Sequence, residues 1–144
     1  MEALYFGSAK GGMNHGGVGT GPWVMADLEN GLWGSNVSAS QEPTISHTFV
    51  TAMIKGDSGP SPGHFAVKGG DAQAGKLTVF WDGNRPKGYA PMKKQGSIIL
   101  GIGGDNSDGS AGTFYEGCIT KGFSTEATDD AVQANIVAAG YQAA

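Results

Sequence analysis

The chain has 144 residues, of which 26 are glycine and only 15% are charged. This composition disfavours helix bundles and favours short strands joined by tight turns. The formal net charge is -4 and the nine Lys and Arg residues are scattered, so the sequence offers no basic stripe for nucleic acid. No apolar run approaches the roughly 20 residues of a membrane-spanning helix, and membrane insertion is not expected.

The first 31 residues predict two strands around a glycine-rich loop. Residues 2–6 form the first predicted strand, which makes a signal peptide at this position unexpected. Residues 7–21 are expected to form a flexible surface loop. The second strand is predicted over residues 23–28, because Pro22 suits a first strand position and Asn30-Gly31 is a strong turn signal.

Alternation along the second strand places Trp23 and Met25 on one face and Val24 on the other, together with Ala26 and Leu28. Asp27 and Glu29 would then project on the same side at the strand end. Such a pair of carboxylates suits chemistry on a sugar. It also suits an ordinary solvated strand end, which is the commoner situation for Asp and Glu. Spacing alone leaves both interpretations open.

Further strands are predicted from β-branched and aromatic alternation at residues 44–55, 64–68, 76–81, 97–102 and 113–120. A hairpin is expected at residues 69–75 and a turn at residues 82–86. His47 is interpreted as a sheet-face residue, and the three histidines lack metal-ligand spacing, so no metal site or cofactor is expected. Cys118 is expected to be a small buried hydrophobe within a strand.

The buried strand at residues 97–102 leads into a Gly-rich loop that carries Asp105. A phosphate-binding loop is rejected because no Lys-Ser/Thr pair follows, and a calcium loop because the ligand spacing and the distal Glu are absent. Asp105 therefore remains as a second carboxylate at a strand end. Glu116, within the next predicted strand, is interpreted as either a third site carboxylate or a paired glutamate.

The C-terminal region predicts a helix over residues 128–140, with Thr128 as its N-cap and Gly140 as its stop. Val132, Ile136 and Ala139 form an apolar stripe that is expected to pack on a sheet. Internal repeats and linkers are not evident, so residues 1–144 are expected to form a single domain.

Four ordered segments resemble the catalytic domain of glycoside hydrolase family 54, the α-L-arabinofuranosidase B type. They are residues 21–31 (GPWVMADLENG), 96–106 (GSIILGIGGDN), 112–117 (GTFYEG) and 131–139 (AVQANIVAA). The resemblance implies a mainly β fold, an antiparallel β-sandwich of the concanavalin-like or jelly-roll kind with one C-terminal helix. It also implies a retaining hydrolase that releases terminal α-L-arabinofuranosyl residues from arabinose-containing polysaccharide.

Carried over from the family, Glu29 would be the nucleophile and Asp105 the general acid/base. Asp27, Asn30 and Gly104 would bind the sugar. In a retaining enzyme the two catalytic carboxyl groups should lie about 5 Å apart. The family's secreted habit implies an extracellular location.

The chain also departs from the family pattern. Family catalytic domains are about twice as long, so the sequence is expected to cover the C-terminal half only. A cysteine pair and a tryptophan that the family places around the sugar are missing, with Asn14 and His15 in the tryptophan's loop. The alternative is a non-catalytic β-sandwich module of the same family, acting in glycan binding or as a structural protein of a surface or virion. A half sandwich would expose sheet edges, which predicts a homo-oligomer or a partner chain that completes it.

Overall fold

The computed structural model describes residues 2–8, 19–28, 31–36, 42–57, 59, 63–89 and 112–144. Within these residues the chain forms six strands and a helix, with the following bounds: β1 (Ala3–Gly7), β2 (Trp23–Asp27), β3 (Leu32–Trp33), β4 (Val50–Gly56), β5 (His64–Asp71), β6 (Thr78–Asn84) and α1 (Glu126–Ala138). The strands make two antiparallel sheets, in the orders β1-β2-β3 and β4-β5-β6. The predicted mainly β, antiparallel fold class is confirmed.

Strand β2 is the centre of the first sheet and is buried on both faces. Val24 and Ala26 enter the core between the sheets, whereas Trp23 and Met25 join a second buried cluster with Tyr5 and Leu32. The predicted division of its side chains between two faces is therefore confirmed. Its predicted bounds are confirmed to within one residue, since the strand ends at Asp27 and Leu28 follows it.

The core between the sheets is built from both of them. Phe65 and Val67 of β5 are fully buried against β2, and Trp33 of β3 closes one side. Partly buried side chains from the second sheet and its flanking residues surround this centre: Val50, Ala52, Ile54, Phe80, Trp81 and Tyr89. Burying one such large apolar side chain contributes roughly 1.5–3 kcal/mol, so this core is the main stabilising contact between the sheets.

A buried ion pair links the two ends of the described β structure. Glu2, directly before β1, accepts a hydrogen bond of 2.6 Å from Arg85, directly after β6, and both side chains are at most 5% exposed. A Cβ atom at Gly56 would meet the charged ends of both of these side chains, so the pair in its present position lies directly over the backbone of that glycine. Arg85 also donates to the carbonyl oxygen of Asp57 at 3.5 Å. The pair therefore joins the first strand to the ends of β4 and β6.

Helix α1 covers the opposite face of the second sheet through a polar contact. Its buried residues are Asp129 and Gln133. The Oδ2 atom of Asp129 accepts hydrogen bonds of 2.6 Å from both Lys55 of β4 and Lys68 of β5. Glu126 also accepts a 2.5 Å hydrogen bond from Lys68. The predicted apolar stripe is thus wrong as the main docking surface, because two buried lysines on the sheet require a carboxylate opposite them.

Burial and hydrogen bonding act in opposite directions on this cluster. Burial alone would raise the pKa of Asp129, but hydrogen bonds from Lys55, Lys68 and Ser124 outweigh it and lower that pKa. Burial alone would lower the pKa of Lys68, but its two carboxylate partners outweigh it and raise that pKa. The contribution of Asp129 to stability is present at pH values above its ordinary pKa and is lost as the pH falls through the lowered pKa. That of Lys68 is present below its ordinary pKa and is lost as pH rises through the raised value.

The helix begins earlier than the sequence predicts. Thr125 is the N-cap, and its side chain accepts a hydrogen bond from the backbone N–H of Thr128 at 3.2 Å. The prediction of Thr128 as the cap is wrong, because Glu126 and Asp129 both lie in the first turn, where acidic residues suit the helix dipole. Gly140, with φ of 71°, follows the C-terminal residues and confirms the predicted stop.

Strand β4 begins at Val50, six residues after the predicted start at residue 44. The preceding segment leaves the sheet because the N–H of Ile45 donates to the carbonyl oxygen of Pro22 at 2.8 Å. The hairpin between β5 and β6 is confirmed, and both strands extend further than predicted. Residues 82–84, predicted as a turn, instead continue β6 opposite His64 and Phe65.

Residues 112–120 were predicted to include a strand, but they pair with no other described segment and are exposed. Cys118 is exposed, so its predicted burial is wrong. Glu116 accepts a 2.6 Å hydrogen bond from the hydroxyl of Tyr141, which favours its interpretation as a paired glutamate. Alternating side chains predict a strand here, but a strand also needs a neighbour with which to pair, and alternation does not provide one.

The predicted strand at residues 97–102 lies outside the described residues. No helix in the described ranges is long and apolar enough to span a bilayer.

The substitution Asp129→Asn should destabilise the protein by about 3–5 kcal/mol, because it leaves two buried lysines without their shared anion. Urea unfolding followed by circular dichroism measures this effect. The matched control is Asp130→Asn on the same helix, since Asp130 is 52% exposed and 3.4 Å from Lys76. The control should change the free energy of unfolding by less than about 0.5 kcal/mol. Equal effects of the two substitutions would contradict the role assigned to the buried cluster.

Candidate functional site

Strand β2 ends in a buried carboxylate. Asp27 is 5% exposed and is paired in the sheet with Ala3 of β1 and Leu32 of β3. Strand alternation places its side chain on the face that carries Trp23 and Met25, both almost fully buried. For Asp27, the interpretation as a solvated strand end is therefore wrong. A carboxylate held in such a position is suited to accept hydrogen bonds from a bound polar group.

The chain reverses direction directly after Asp27. The N–H of Leu28 donates to the carbonyl oxygen of Gly31 at 3.2 Å, and Gly31 has φ of 120°, which a side chain would disfavour. Strand β3 then returns antiparallel to β2. Leu28 and Leu32 are buried on either side of this reversal. The turn predicted from Asn30-Gly31 is confirmed by the pairing of β2 with β3.

The other predicted site residues lie outside the described residues. These are Glu29 and Asn30, between Leu28 and Gly31 in sequence, and Gly104 and Asp105. Of the predicted set, Asp27 alone is described. The distance between the carboxyl groups of Glu29 and Asp105 consequently stays a prediction of the sequence. The structure describes the strands on either side of Glu29 in sequence: β2 and β3, which are buried and antiparallel. These two strands form the frame of the candidate site.

Rigid packing surrounds this frame. Trp33, next to Leu32 in β3, meets the ring of Tyr89 edge-on with 5.6 Å between ring centroids. Trp33 also belongs to the core between the sheets. Catalysis at a sugar requires precise positioning of the reacting groups. Flanking residues that are held by packing help to preserve this precision, because they limit side-chain motion.

One buried acid was missed by the sequence analysis. Glu42 is 3% exposed, and its Oε1 atom has no hydrogen-bond partner among the described residues. Burial raises the pKa of Glu42 from 4.5 to about 8. No pattern in the sequence marks this residue, because residues 34–43 are predicted to be a polar connection, where a glutamate is ordinary.

Metal-ligand clusters are not found in the part of the chain that the structure describes: no group of three or more His, Cys, Asp or Glu residues converges there. The His64–Asp82 pair, with Nε2 and Oδ1 2.6 Å apart, illustrates the pairwise arrangement instead. The His64 ring stacks on the Phe123 ring, with 4.8 Å between their centroids. The Nζ atom of Lys55 lies over the Phe123 ring as well, 4.4 Å from its centroid. These contacts attach the segment before α1 to the second sheet.

Comparison with known proteins identifies the family. The profile of the catalytic domain of α-L-arabinofuranosidase B matches residues 1–142. The chain belongs to this family. The match includes the segments around Asp27, Glu29 and Asp105, and it confirms the family resemblance found in the sequence.

Several fungal relatives are similar over almost the whole chain. An α-L-arabinofuranosidase of Hypocrea jecorina and an arabinofuranosidase/β-xylosidase of Trichoderma koningii are each 52% identical over 148 residues, covering 100% of this chain. An α-L-arabinofuranosidase B of Aspergillus oryzae is 48% identical over 145 residues, covering 98% of it. In each case the chain spans 28% of the length of the relative.

Solved structures of family members have the same fold. A mutant glycoside hydrolase family 54 α-L-arabinofuranosidase, soaked with 4-nitrophenyl α-L-arabinofuranoside, superposes with a TM-score of 0.86 at 44% identity. An arabinofuranosidase complexed with arabinofuranosyl-α-1,2-xylobiose gives the same values. Each comparison covers 100% of this chain and 30% of the solved chain. The described sheets are therefore part of a larger β-sandwich architecture in these relatives.

The burial of Glu42 should be visible in the pH dependence of the protein's stability. Since the folded pKa of Glu42 is raised, its neutral form is favoured on folding, and stability should fall as pH rises from 4.5 to about 8. Glu42→Gln keeps the shape without the charge and should remove this loss, gaining at most about 3 kcal/mol over the natural protein at pH 7. Thermal unfolding at pH 4 to 8 measures the difference.

Glu116→Gln is the control for this experiment, because Glu116 is exposed. Its pH profile should parallel that of the natural protein. A profile of Glu42→Gln that also runs parallel would show that Glu42 is not buried and neutral in the folded chain.

Proposed function

We propose that this chain carries the catalytic machinery of a retaining α-L-arabinofuranosidase, acting on terminal arabinofuranosyl residues of arabinose-containing polysaccharide. The observation that supports it most is the family match over residues 1–142, with the chain 52% identical to an α-L-arabinofuranosidase. The burial of Asp27 at the end of β2 is consistent with a sugar-binding role. The family's habit also supports an extracellular location.

In the proposed reaction, the Glu29 carboxylate attacks the anomeric carbon of the arabinofuranosyl group. The bond from that carbon to the glycosidic oxygen breaks, and Asp105 gives its proton to the departing oxygen. This step leaves a covalent arabinosyl ester on Glu29. Asp105, now ionised, then takes a proton from water as the water attacks the same carbon. Arabinose is released, Glu29 returns as a carboxylate, and Asp105 is protonated again.

Asp27, Asn30 and Gly104 are proposed to hold the sugar during both steps. Asp27 can accept hydrogen bonds from hydroxyl groups, and the Asn30 amide can both donate and accept them. Gly104 would allow close approach of backbone to the sugar, because it has no side chain. Hydrogen bonds of this kind strengthen as the sugar distorts toward the transition state.

A second candidate function is a non-catalytic glycan-binding or assembly module of the same family. One observation favours it: Phe114, Tyr115 and Ile119 are each more than half exposed on residues 112–120. Contiguous exposed apolar side chains are typical of interaction surfaces. Under this proposal the chain would associate with a second copy or with a partner chain through that segment. Sedimentation of the natural chain and of Phe114→Ser should then differ in mass.

Hydrolysis of 4-nitrophenyl α-L-arabinofuranoside tests the enzymatic proposal. Glu29→Gln should lower kcat by roughly 10³-fold or more, because the nucleophile is lost. The exposed Glu116→Gln is the matched control and should retain full activity. If the natural chain releases no more 4-nitrophenol than Glu29→Gln, the chain is not an active arabinofuranosidase on its own.

A second variant separates the acid from the nucleophile. Asp105→Asn should impair hydrolysis of an arabinosylated xylo-oligosaccharide far more than formation of the arabinosyl ester from the nitrophenyl substrate, because nitrophenolate leaves without a proton. Burst kinetics measure the two steps, and Asp108→Asn in the same loop is the control. If Asp105→Asn slows formation of the arabinosyl ester equally with both substrates, the assignment of Asp105 as the acid is contradicted.

A further inference from the structure

A groove with a volume of about 290 Å³ lies beside the core between the two sheets. It is lined by residues 43–47, by Gly69 and Gly70 of β5, and by Thr78 and Phe80 of β6. The volume is at the lower end of the range for small-molecule sites and suits one small ring rather than a large cofactor.

The floor of the groove depends on glycine. A Cβ atom at Gly69 would lie 2.7 Å from the ring of Phe80 and 3.3 Å from Ile45, and one at Gly70 would lie 3.0 Å from the carbonyl oxygen of Lys76. The 2.7 Å approach at Gly69 would force the Phe80 ring to shift, and the 3.0 Å approach at Gly70 would be a tight contact, so the close packing of neighbours on both positions depends on glycine. The Phe80 ring therefore lies directly against bare backbone and forms an apolar wall.

The walls combine this ring with hydrogen-bonding side chains, among them the imidazole of His47, whose Nδ1 atom lies 3.6 Å from the Asp71 carboxylate. Thr44, Ser46 and Thr78 bring hydroxyls, His47 brings an imidazole, and Ile45 adds apolar surface. Hydroxyls and imidazole both donate and accept hydrogen bonds. Of the described residues that line the groove, none is Lys, Arg, Asp or Glu. A ligand that matches them is uncharged, has an apolar face and carries several hydroxyl groups, which is the chemistry of a neutral sugar ring.

The groove is separate from the end of β2. Ile45, in its wall, is hydrogen-bonded to the carbonyl oxygen of Pro22, just before β2 begins, whereas Asp27 is the last residue of that strand. At about 3.3 Å per residue, the positions of Pro22 and Asp27 are roughly 17 Å apart. A sugar in the groove would therefore be a different unit from one bound beside Asp27.

We propose that this groove is an accessory glycan subsite that binds one neutral pentose unit of a polysaccharide chain, at a distance from the bond that is cleaved. The sugar ring would lie against Phe80, with its hydroxyls bonded to Ser46, His47 and Thr78. The choice of an arabinoxylan unit rests on the proposed function, since a solved relative is complexed with arabinofuranosyl-α-1,2-xylobiose.

Two-dimensional NMR of the full chain tests the subsite, with xylobiose and arabinofuranosyl-α-1,2-xylobiose as probes. The Glu29→Gln variant is used so that no sugar is hydrolysed. The backbone amides of Gly69 and Gly70 and the ring protons of His47 should shift and saturate, with a dissociation constant on the order of millimolar, as a shallow single-sugar site implies. Combining Ser46→Ala, His47→Ala and Thr78→Ala should weaken binding about tenfold through lost hydrogen bonds.

Phe80→Leu provides a second test, because it keeps apolar packing against the core and removes the aromatic ring. It should weaken binding while the amide spectrum stays that of a folded chain. The matched control combines Thr48→Ala and Val79→Ala, which are exposed neighbours outside the groove. The control should bind the sugars as the parent variant does.

Three results would overturn the subsite: saturable shifts that leave Gly69 and Gly70 unmoved, binding unchanged in both groove variants, or shifts at the groove that follow protein concentration without sugar. The last would show that a second copy of the chain occupies it. In the chain that retains Glu29, the groove variants should hydrolyse the nitrophenyl substrate at the unchanged rate. Groove binding without hydrolysis would leave the subsite standing while removing the enzymatic proposal, so the two failures are distinguishable.

Discussion

Contact between β2 and the second sheet is the constraint on which the described structure depends. Val24, Ala26 and Leu28 face Phe65 and Val67, and all five are buried. The opposite face of β2 is buried as well. The strand therefore cannot shift its pairing register without exposing large apolar side chains. The position of Asp27, and of the reversal after it, is therefore fixed by packing rather than by the turn alone.

Polar groups that the fold buries are accommodated in two different ways. Lys55 and Lys68 share Asp129, which accepts a hydrogen bond of 2.6 Å from each, and Asp129 together with Glu126 raises the pKa of Lys68. The Oε1 atom of Glu42 has no such partner within the described part of the chain, and burial favours its neutral form instead. An ion pair offsets the cost of burial through close contact, whereas an isolated acid avoids it by holding a proton. The helix is consequently attached by charge, whereas Glu42 is accommodated by a raised pKa.

The two polysaccharide contacts proposed for this chain are at opposite ends of β2. Glu29, the proposed nucleophile, follows its last residue closely in sequence, and the groove borders the residues before its first. Such separation suits a polymeric substrate, because remote contacts can supply binding energy that orients the bond to be cleaved. A small aryl substrate would reach the catalytic end alone, which is why it serves to separate the two roles.

Local pattern in the sequence was enough to determine β2, its two faces, the turn after it, the hairpin of β5 and β6, and the helix with its Gly140 stop. Each of these depends on neighbours within a few residues, where alternation, turn residues and capping act directly. The family and the candidate residues Glu29, Asp105, Asp27, Asn30 and Gly104 also came from the sequence, as ordered segments of a resemblance. Only the tertiary structure decided that Asp27 is buried, that Asp129 docks the helix, that Glu42 is buried and that residues 112–120 are exposed. These facts depend on which distant segments meet, and a residue's own neighbours in sequence carry no record of them.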